Sequence, residues 1–240
     1  MKRIALVHGF LGSPADWADV LAALAPDIAC DVVSLREFSC STVIGFAEAL
    51  NDRLRRTPSD LVVGYSLGAR IALEACAINT ARTPKLLLLS TQPGMRDASE
   101  RAMRAASDLL RSDDLLSIPT ADFIERWYQS DLFASFRAHP SFDATRARRA
   151  QGDANFWSEV VYGCSPGRSE SRWDALAAHA SRITMAAGES DARYAAIVRE
   201  AEATMPALTT RIVPNAGHVL PLEAPRACAQ MIEQILHSSA

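Results

Sequence analysis

The sequence predicts an α/β fold with a mainly parallel sheet, interrupted by one long helical insertion. Three observations carry this prediction. Short apolar runs alternate with amphipathic helical stretches, which is the pattern of strands linked by crossover helices. Glycine- and serine-bearing turns follow the apolar runs at residues 4–7, 61–65 and 183–187. Between about Gln92 and Ala180 the alternation stops, and only helical stretches broken by Pro119, Pro140, Gly152 and Pro166-Gly167 are legible. An excursion of that length is too long for a connecting loop, and long excursions in compact domains usually carry function.

The elements follow in order. Residues 4–7 read as a buried strand, then a helix opens with Ser13 as N-cap, Pro14 at its first position and Asp16 in its first turn. Trp17, Val20, Leu21 and Leu24 share one face of it. Residues 28–35 form a second strand and residues 43–54 a helix with Val43, Phe46, Leu50 and Leu54 as its stripe. Residues 61–65 make a third strand that runs through Ser66 into a helix beginning near Leu67. Residues 86–89 are a fourth strand. After the insertion come a strand at 183–187, a helix at 192–205, a strand at 208–213 and a closing helix at 225–236. The expected organisation is a core of residues 1–91 and 181–240 with a helical cap of residues 92–180, folding as one unit.

The chain's 240 residues suit a single large domain. Its 25 basic and 28 acidic residues give a net charge of -3, which argues against a general polyanion binder. Only Lys2 and Lys85 are lysines, so 23 of the basic residues are arginines, the side chain suited to two-point binding of planar anions. Five scattered cysteines (Cys30, Cys40, Cys76, Cys164, Cys228) show neither disulfide nor zinc spacing. The apolar start is broken at His8-Gly9 with no small-residue cleavage site, and no segment has the length of a bilayer span. The expectation is a soluble cytoplasmic protein with no metal, no cofactor, no nucleic-acid partner and no membrane insertion.

Gly64-Tyr65-Ser66-Leu67-Gly68 is a G-x-S-x-G motif placed between strand and helix. Such a turn lifts the serine hydroxyl above the sheet, and the helix N-terminus aims N–H groups at a developing anion. A serine hydroxyl needs a base. His218, in Asn215-Ala216-Gly217-His218, follows the last strand, at the strand ends where ligands gather in parallel sheets. Glu189 and Asp191, after the strand at 183–187, both qualify to orient the imidazole; Asp191, past the turn, is preferred. The chain order Ser66, Asp191, His218 is that of the α/β-hydrolase fold. His8-Gly9-Phe10 adds a second oxyanion element, the Phe10 N–H joining that of Leu67, while the His8 ring is expected to order its loop.

Further residues resemble one branch of that fold, the SHCHC synthase (MenH) family of menaquinone biosynthesis. They are Arg70 after the elbow, Gln92-Pro93-Gly94-Met95, the Arg101/Arg104 helix, the segment Trp127-Tyr128-Gln129, and Arg148. The resemblance covers essentially the whole chain, and the Trp-Tyr-Gln segment is its specific part. It implies a lyase that eliminates pyruvate from a small polycarboxylate, a carboxylated cyclohexene. Serine, activated by histidine, removes a carbon-bound proton, and the oxyanion hole holds the enolate. It also implies that Arg70, Arg104 and Arg148 clamp carboxylates, with Tyr65 and Trp127 lining the pocket. The chain departs from the family at Ser34-Leu35-Arg36-Glu37-Phe38-Ser39, where relatives carry Asp-x-Pro-Gly-His-Gly, at Asp131 in place of a proline, and after Arg148, where asparagines are missing. The residues alone leave a serine hydrolase of small carboxylated esters or thioesters as the alternative. As plain helix-surface pairs, Arg70 would meet Glu74 and Arg104 would meet Asp108, four residues on.

Overall fold

The computed structural model of the protein describes residues 1–79 and 84–238. Six parallel strands form its sheet in the order β2-β1-β3-β4-β5-β6. They are β1 (Arg3–Val7), β2 (Ala29–Val33), β3 (Leu61–Tyr65), β4 (Lys85–Leu89), β5 (Ile183–Gly188) and β6 (Thr209–Val213). β3 and most of β1, β4 and β5 are buried, as continuous apolar runs in a doubly covered parallel sheet must be. The register pairs Val7 with Gly64, Tyr65 with Leu89 and Gly188 with Val213, so the segments carrying Phe10, Ser66, Asp191 and His218 all leave the same edge.

The helices of the core are α1 (Ala18–Ala23), α2 (Val43–Arg56) and α3 (Leu67–Ile78) before the insertion. The insertion supplies α4 (Ala98–Ser117), α5 (Thr120–Tyr128), α6 (Ala134–Arg137), α7 (Phe142–Ala150), α8 (Ala154–Gly163) and α9 (Trp173–Ala178). The chain then adds α10 (Ala192–Thr204), α11 (Leu220–Glu223) and α12 (Pro225–His237). Asp97 and Asp153 cap α4 and α8 through the amides of Glu100 and Phe156. Those two helices pack on each other, with Ser112 and Ser158 hydroxyls 2.8 Å apart at the contact. Arg172 Nε and Nη2 both donate to the Glu74 carboxylate at 2.7 Å, fastening the end of the insertion to α3. Among the described residues no helix is long and apolar enough to cross a membrane.

Two expected elements are shorter than their sequence pattern. β2 stops at Val33, and Leu35–Glu37 is a 3-10 turn, because the Leu35 amide donates to His8 Nε2 at 3.2 Å instead of to a neighbouring strand. The first helix is a 3-10 turn over Pro14–Trp17 followed by the short α1, and Ser13 makes no side-chain cap bond. Asp16 is buried there, committed to charge pairs with the insertion.

Candidate active site

Ser66 sits between β3 and α3 with φ 52° and ψ −109°, a conformation that costs roughly 1–3 kcal/mol and persists only when its surroundings enforce it. The surroundings do. A Cβ on Gly64 would lie 2.4 Å from the Ala69 Cα, and one on Gly68 would lie 2.2 Å from the Val7 carbonyl oxygen. The Ser66 amide donates to the Leu89 carbonyl at 2.9 Å, continuing the β3–β4 ladder one residue past the strand. Neither the Phe10 amide nor the Leu67 amide is taken by another group among the described residues.

His218 is buried, with Nδ1 2.7 Å from Asp191 Oδ2. A carboxylate only accepts, so Nδ1 carries a hydrogen, and in the neutral ring Nε2 is the lone-pair nitrogen. Asp191 also accepts from the Tyr194 amide at 3.1 Å, which fixes it as the N-cap of α10. The rings of Tyr194, Tyr65 and Phe133 stand 4.7, 5.7 and 5.9 Å from the imidazole. Burial raises the hydroxyl pKa of both tyrosines, so they remain neutral. Glu189 is exposed, and its carboxylate is 3.4 Å from the Asn215 amide.

Ser66, Asp191 and His218 line a cavity of about 690 Å³ together with Phe10, Leu67, Tyr65, Trp127, Arg70 and Arg104. The cavity lies between the strand ends and the insertion. Among the described residues, six arginines and three aspartates line it, so its wall carries a cationic excess. Arg70 is partly buried, and burial pushes its guanidinium below its usual pKa, although not far enough to discharge an arginine. It donates to the Cys164 carbonyl at 2.6 Å and to Ser169 Oγ at 2.8 Å, and no carboxylate among the described residues pairs with it. Glu74, its expected helix partner, is held by Arg172. Arg104 Nε donates to Asp108 Oδ2 at 2.7 Å, and Arg111 donates to the other oxygen at 2.7 Å, so two cations share one buried carboxylate. Burial pushes the Cys164 thiol up to about 12, so it stays protonated near neutral pH.

Arg148 is outside the cavity wall. Its guanidinium donates to Asp16 Oδ1 at 2.5 Å. The reason is the helical turn: on α7 the buried face runs through Thr145 and Arg149, four residues apart, and Arg148 lies about 100° away from it. Arg149 lines the cavity instead, giving Nη2 to Asp16 Oδ2 at 2.8 Å and Nη1 to the Tyr128 hydroxyl at 2.7 Å. Burial opposes both charges of this pair. Arg149 and Arg148 nevertheless hold the Asp16 carboxyl below the usual carboxylate range, and Asp16 raises Arg149 in turn. Sequence reasoning passed over Arg149, Arg111 and Phe133; the i to i+4 spacing of Thr145 and Arg149 was the signal for the first.

His8 Nδ1 donates to the Gly9 carbonyl at 2.9 Å while Nε2 accepts from Leu35, so the ring is neutral and ties the Phe10 turn to the segment after β2. Burial lowers its pKa below 6.5. Phe10 in turn packs edge-on against Trp127 and Trp157, at 5.2 and 5.3 Å between centroids. Among the described residues no cluster of three or more histidines, cysteines or acids is arranged to hold a metal ion.

The model of the alpha/beta hydrolase family matches residues 4–231. The 2-succinyl-6-hydroxy-2,4-cyclohexadiene-1-carboxylate synthase of Enterobacter sp. (strain 638) is 30% identical over 97% of this chain and 91% of its own length. Protein PHYLLO, chloroplastic, of Arabidopsis thaliana is 29% identical over 91% of this chain, which spans 14% of that much longer protein. The solved structure of MenH from S. aureus superposes with a TM-score of 0.90, covering 98% of this chain and 93% of that one at 21% identity. The chain belongs to the alpha/beta hydrolase family and, within it, to the 2-succinyl-6-hydroxy-2,4-cyclohexadiene-1-carboxylate (SHCHC) synthases.

Proposed function

We propose that the protein is a cofactor-independent carbon–oxygen lyase that eliminates pyruvate from a carboxylated cyclohexene to give SHCHC, the product named for its relative. The observation that carries the reading is Arg70. A partly buried cation one helical turn beyond Ser66, hydrogen-bonded among the described residues only to a carbonyl and a hydroxyl, is a counter-charge waiting for an anion. Arg104, Arg111 and Arg149 surround the same space with further positive charge. A substrate bearing several carboxylates would meet it with two-point geometry, fixing its orientation.

The chemistry then assigns each group a task. Ser66 Oγ takes a proton from the substrate carbon as its own proton passes to His218 Nε2. Asp191 holds the imidazole and offsets the imidazolium charge. The electron pair left on the ring is held as an enolate oxygen by the Phe10 and Leu67 amides. Collapse of that enolate breaks the carbon–oxygen bond, and pyruvate departs with the bonding electrons and regains a proton. Residues 92–180 act as a cap that closes the cavity from water.

The test is turnover of the menaquinone-pathway intermediate, following pyruvate. Release by the wild-type protein and its loss in Ser66→Ala support the lyase. Rapid cleavage of short p-nitrophenyl esters without pyruvate release would transfer the site to an ester hydrolase working through an acyl-enzyme.

A further inference from the structure

Glu223, at the end of α11, has a bonding pattern that neither its sequence position nor the proposed chemistry explains. One carboxylate oxygen accepts from the Gly217 amide at 3.1 Å, and the other accepts from the Val219 amide at 2.7 Å. These amides flank His218 on either side, so a single carboxylate grips the backbone that carries the imidazole. The same Oε1 also accepts from Ser135 Oγ at 2.5 Å, and Ser135 belongs to α6 of the insertion. The fit is tight. A Cβ on Gly217 would stand 2.8 Å from the Ser135 Cβ and 2.9 Å from Glu223 Oε1.

Asp191 fixes the rotation of the imidazole through Nδ1, but it cannot by itself fix where the ring stands over the strand ends. The loop before His218 passes through Asn215 with φ 55° and is tied to the turn after β5 as far as Ala216, whose carbonyl accepts from the Ser190 amide at 2.9 Å. Beyond Ala216 the two bonds to the Glu223 carboxylate hold the backbone on either side of His218. Because the third bond comes from α6, the position of His218 depends on where the insertion sits. Phe133, just before α6, packs edge-on against the imidazole as a second contact from the insertion.

We propose that Glu223 is a positioning residue for His218, and that the Ser135–Glu223 hydrogen bond makes alignment of the base depend on the seating of the insertion over the cavity. The inference rests on Ser66 being activated by His218, and it is independent of which substrate the cavity takes. It can therefore be tested with a fluorophosphonate. Ser66 Oγ attacks phosphorus, the O–P bond forms, the P–F bond breaks to release fluoride, and the serine proton passes to His218. Labelling is followed by intact mass over a concentration series, so that the maximal rate and the apparent binding constant are read separately. Melting temperature is measured alongside.

Glu223→Gln keeps one acceptor and places an NH2 against the other amide. It is expected to lower the maximal labelling rate by about tenfold or more, with binding of the probe unchanged, since a displacement of about 1 Å can cost a hundredfold. Ser135→Ala is expected to slow labelling by about threefold, and the double variant to be no slower than Glu223→Gln alone, as two members of one network behave. Labelling of Glu223→Gln at the wild-type rate would overturn the positioning role. Effects that multiply in the double variant would overturn the coupling to the insertion. If Glu223→Gln lacks a cooperative melt, Ser135→Ala decides alone, and a wild-type rate there refutes the proposal. A wild-type protein that labels no faster than Ser66→Ala would overturn the activation of Ser66 itself, a separate failure.

Discussion

Arg70 differs from its neighbours in what it lacks. Arg104 and Arg111 share Asp108, Arg148 and Arg149 share Asp16, and Arg172 has Glu74, yet among the described residues the Arg70 guanidinium meets only neutral oxygens. An uncompensated charge taken out of water destabilises the fold that holds it. We therefore expect Arg70→Met to leave the melting temperature unchanged or raised while reducing kcat/KM for the proposed substrate by about 2–5 kcal/mol, as removal of a desolvated charge partner does. A lowered melting temperature with kcat/KM intact would show that Arg70 is structural. Arg149 is the opposite case. Breaking a buried pair costs about 3–5 kcal/mol, so Arg149→Ala should lower stability in urea by that order. Arg148→Ala, whose side chain is 37% exposed, should cost about 1 kcal/mol or less. Equal losses from the two would contradict the placement of α7.

The arginine skew was legible in the composition, but its meaning was not. Of the eleven arginines between residues 92 and 180, Arg96, Arg137, Arg146, Arg168 and Arg172 are used for ion pairs, carbonyl bonds or ring contacts away from Ser66. One-dimensional spacing cannot show that Asp16, 132 residues from Arg148, meets it. Nor could it choose between Arg148 and Arg149, which differ by one step of a helix whose face is set by packing.

At the scale of elements, the sequence carried what depends on local pattern. The six strands and the Ser66 turn follow from apolar runs and glycine spacing, and their bounds fall within a residue or two of expectation, except in β2. β2 ends early because His8, a residue of another strand end, captures the Leu35 amide. That bond needs a neutral ring, which yields a pH dependence. Burial holds the pKa of His8 in the folded protein below 6.5, so below that pH the unfolded chain binds a proton that the folded one refuses. Stability should therefore fall as pH is lowered from about 7.5 to about 5.5, and His8→Asn should flatten this dependence. Equilibrium urea unfolding at the two pH values measures it. A stability that is equal or higher at the lower pH in the wild type, with no difference in His8→Asn, would refute the role of the neutral ring.

For the molecule as a whole, the parallel order of the sheet gathers the segments carrying Phe10, Ser66, Asp191 and His218 at one edge, and residues of the insertion line the cavity beside them. What folds the chain and what it acts upon are read from different residues. With the roles proposed for Ser66, His218 and the Phe10 and Leu67 amides, the strand ends would serve hydrolases and lyases alike and do not choose between the reactions. The choice rests on the cationic wall, drawn mostly from the insertion, and on the relatives that share the whole length. The departures at residues 34–39 are outside the cavity lining, and there Leu35 and Arg36 bond to His8 and Asp153. The direct measurement is single-turnover conversion of the carboxylated cyclohexene intermediate, with pyruvate quantified against protein. The lyase reading predicts one pyruvate per site, no covalent species on Ser66 by intact mass during turnover, and loss of nearly all of the rate in Ser66→Ala. An acyl-Ser66 adduct without pyruvate would contradict it.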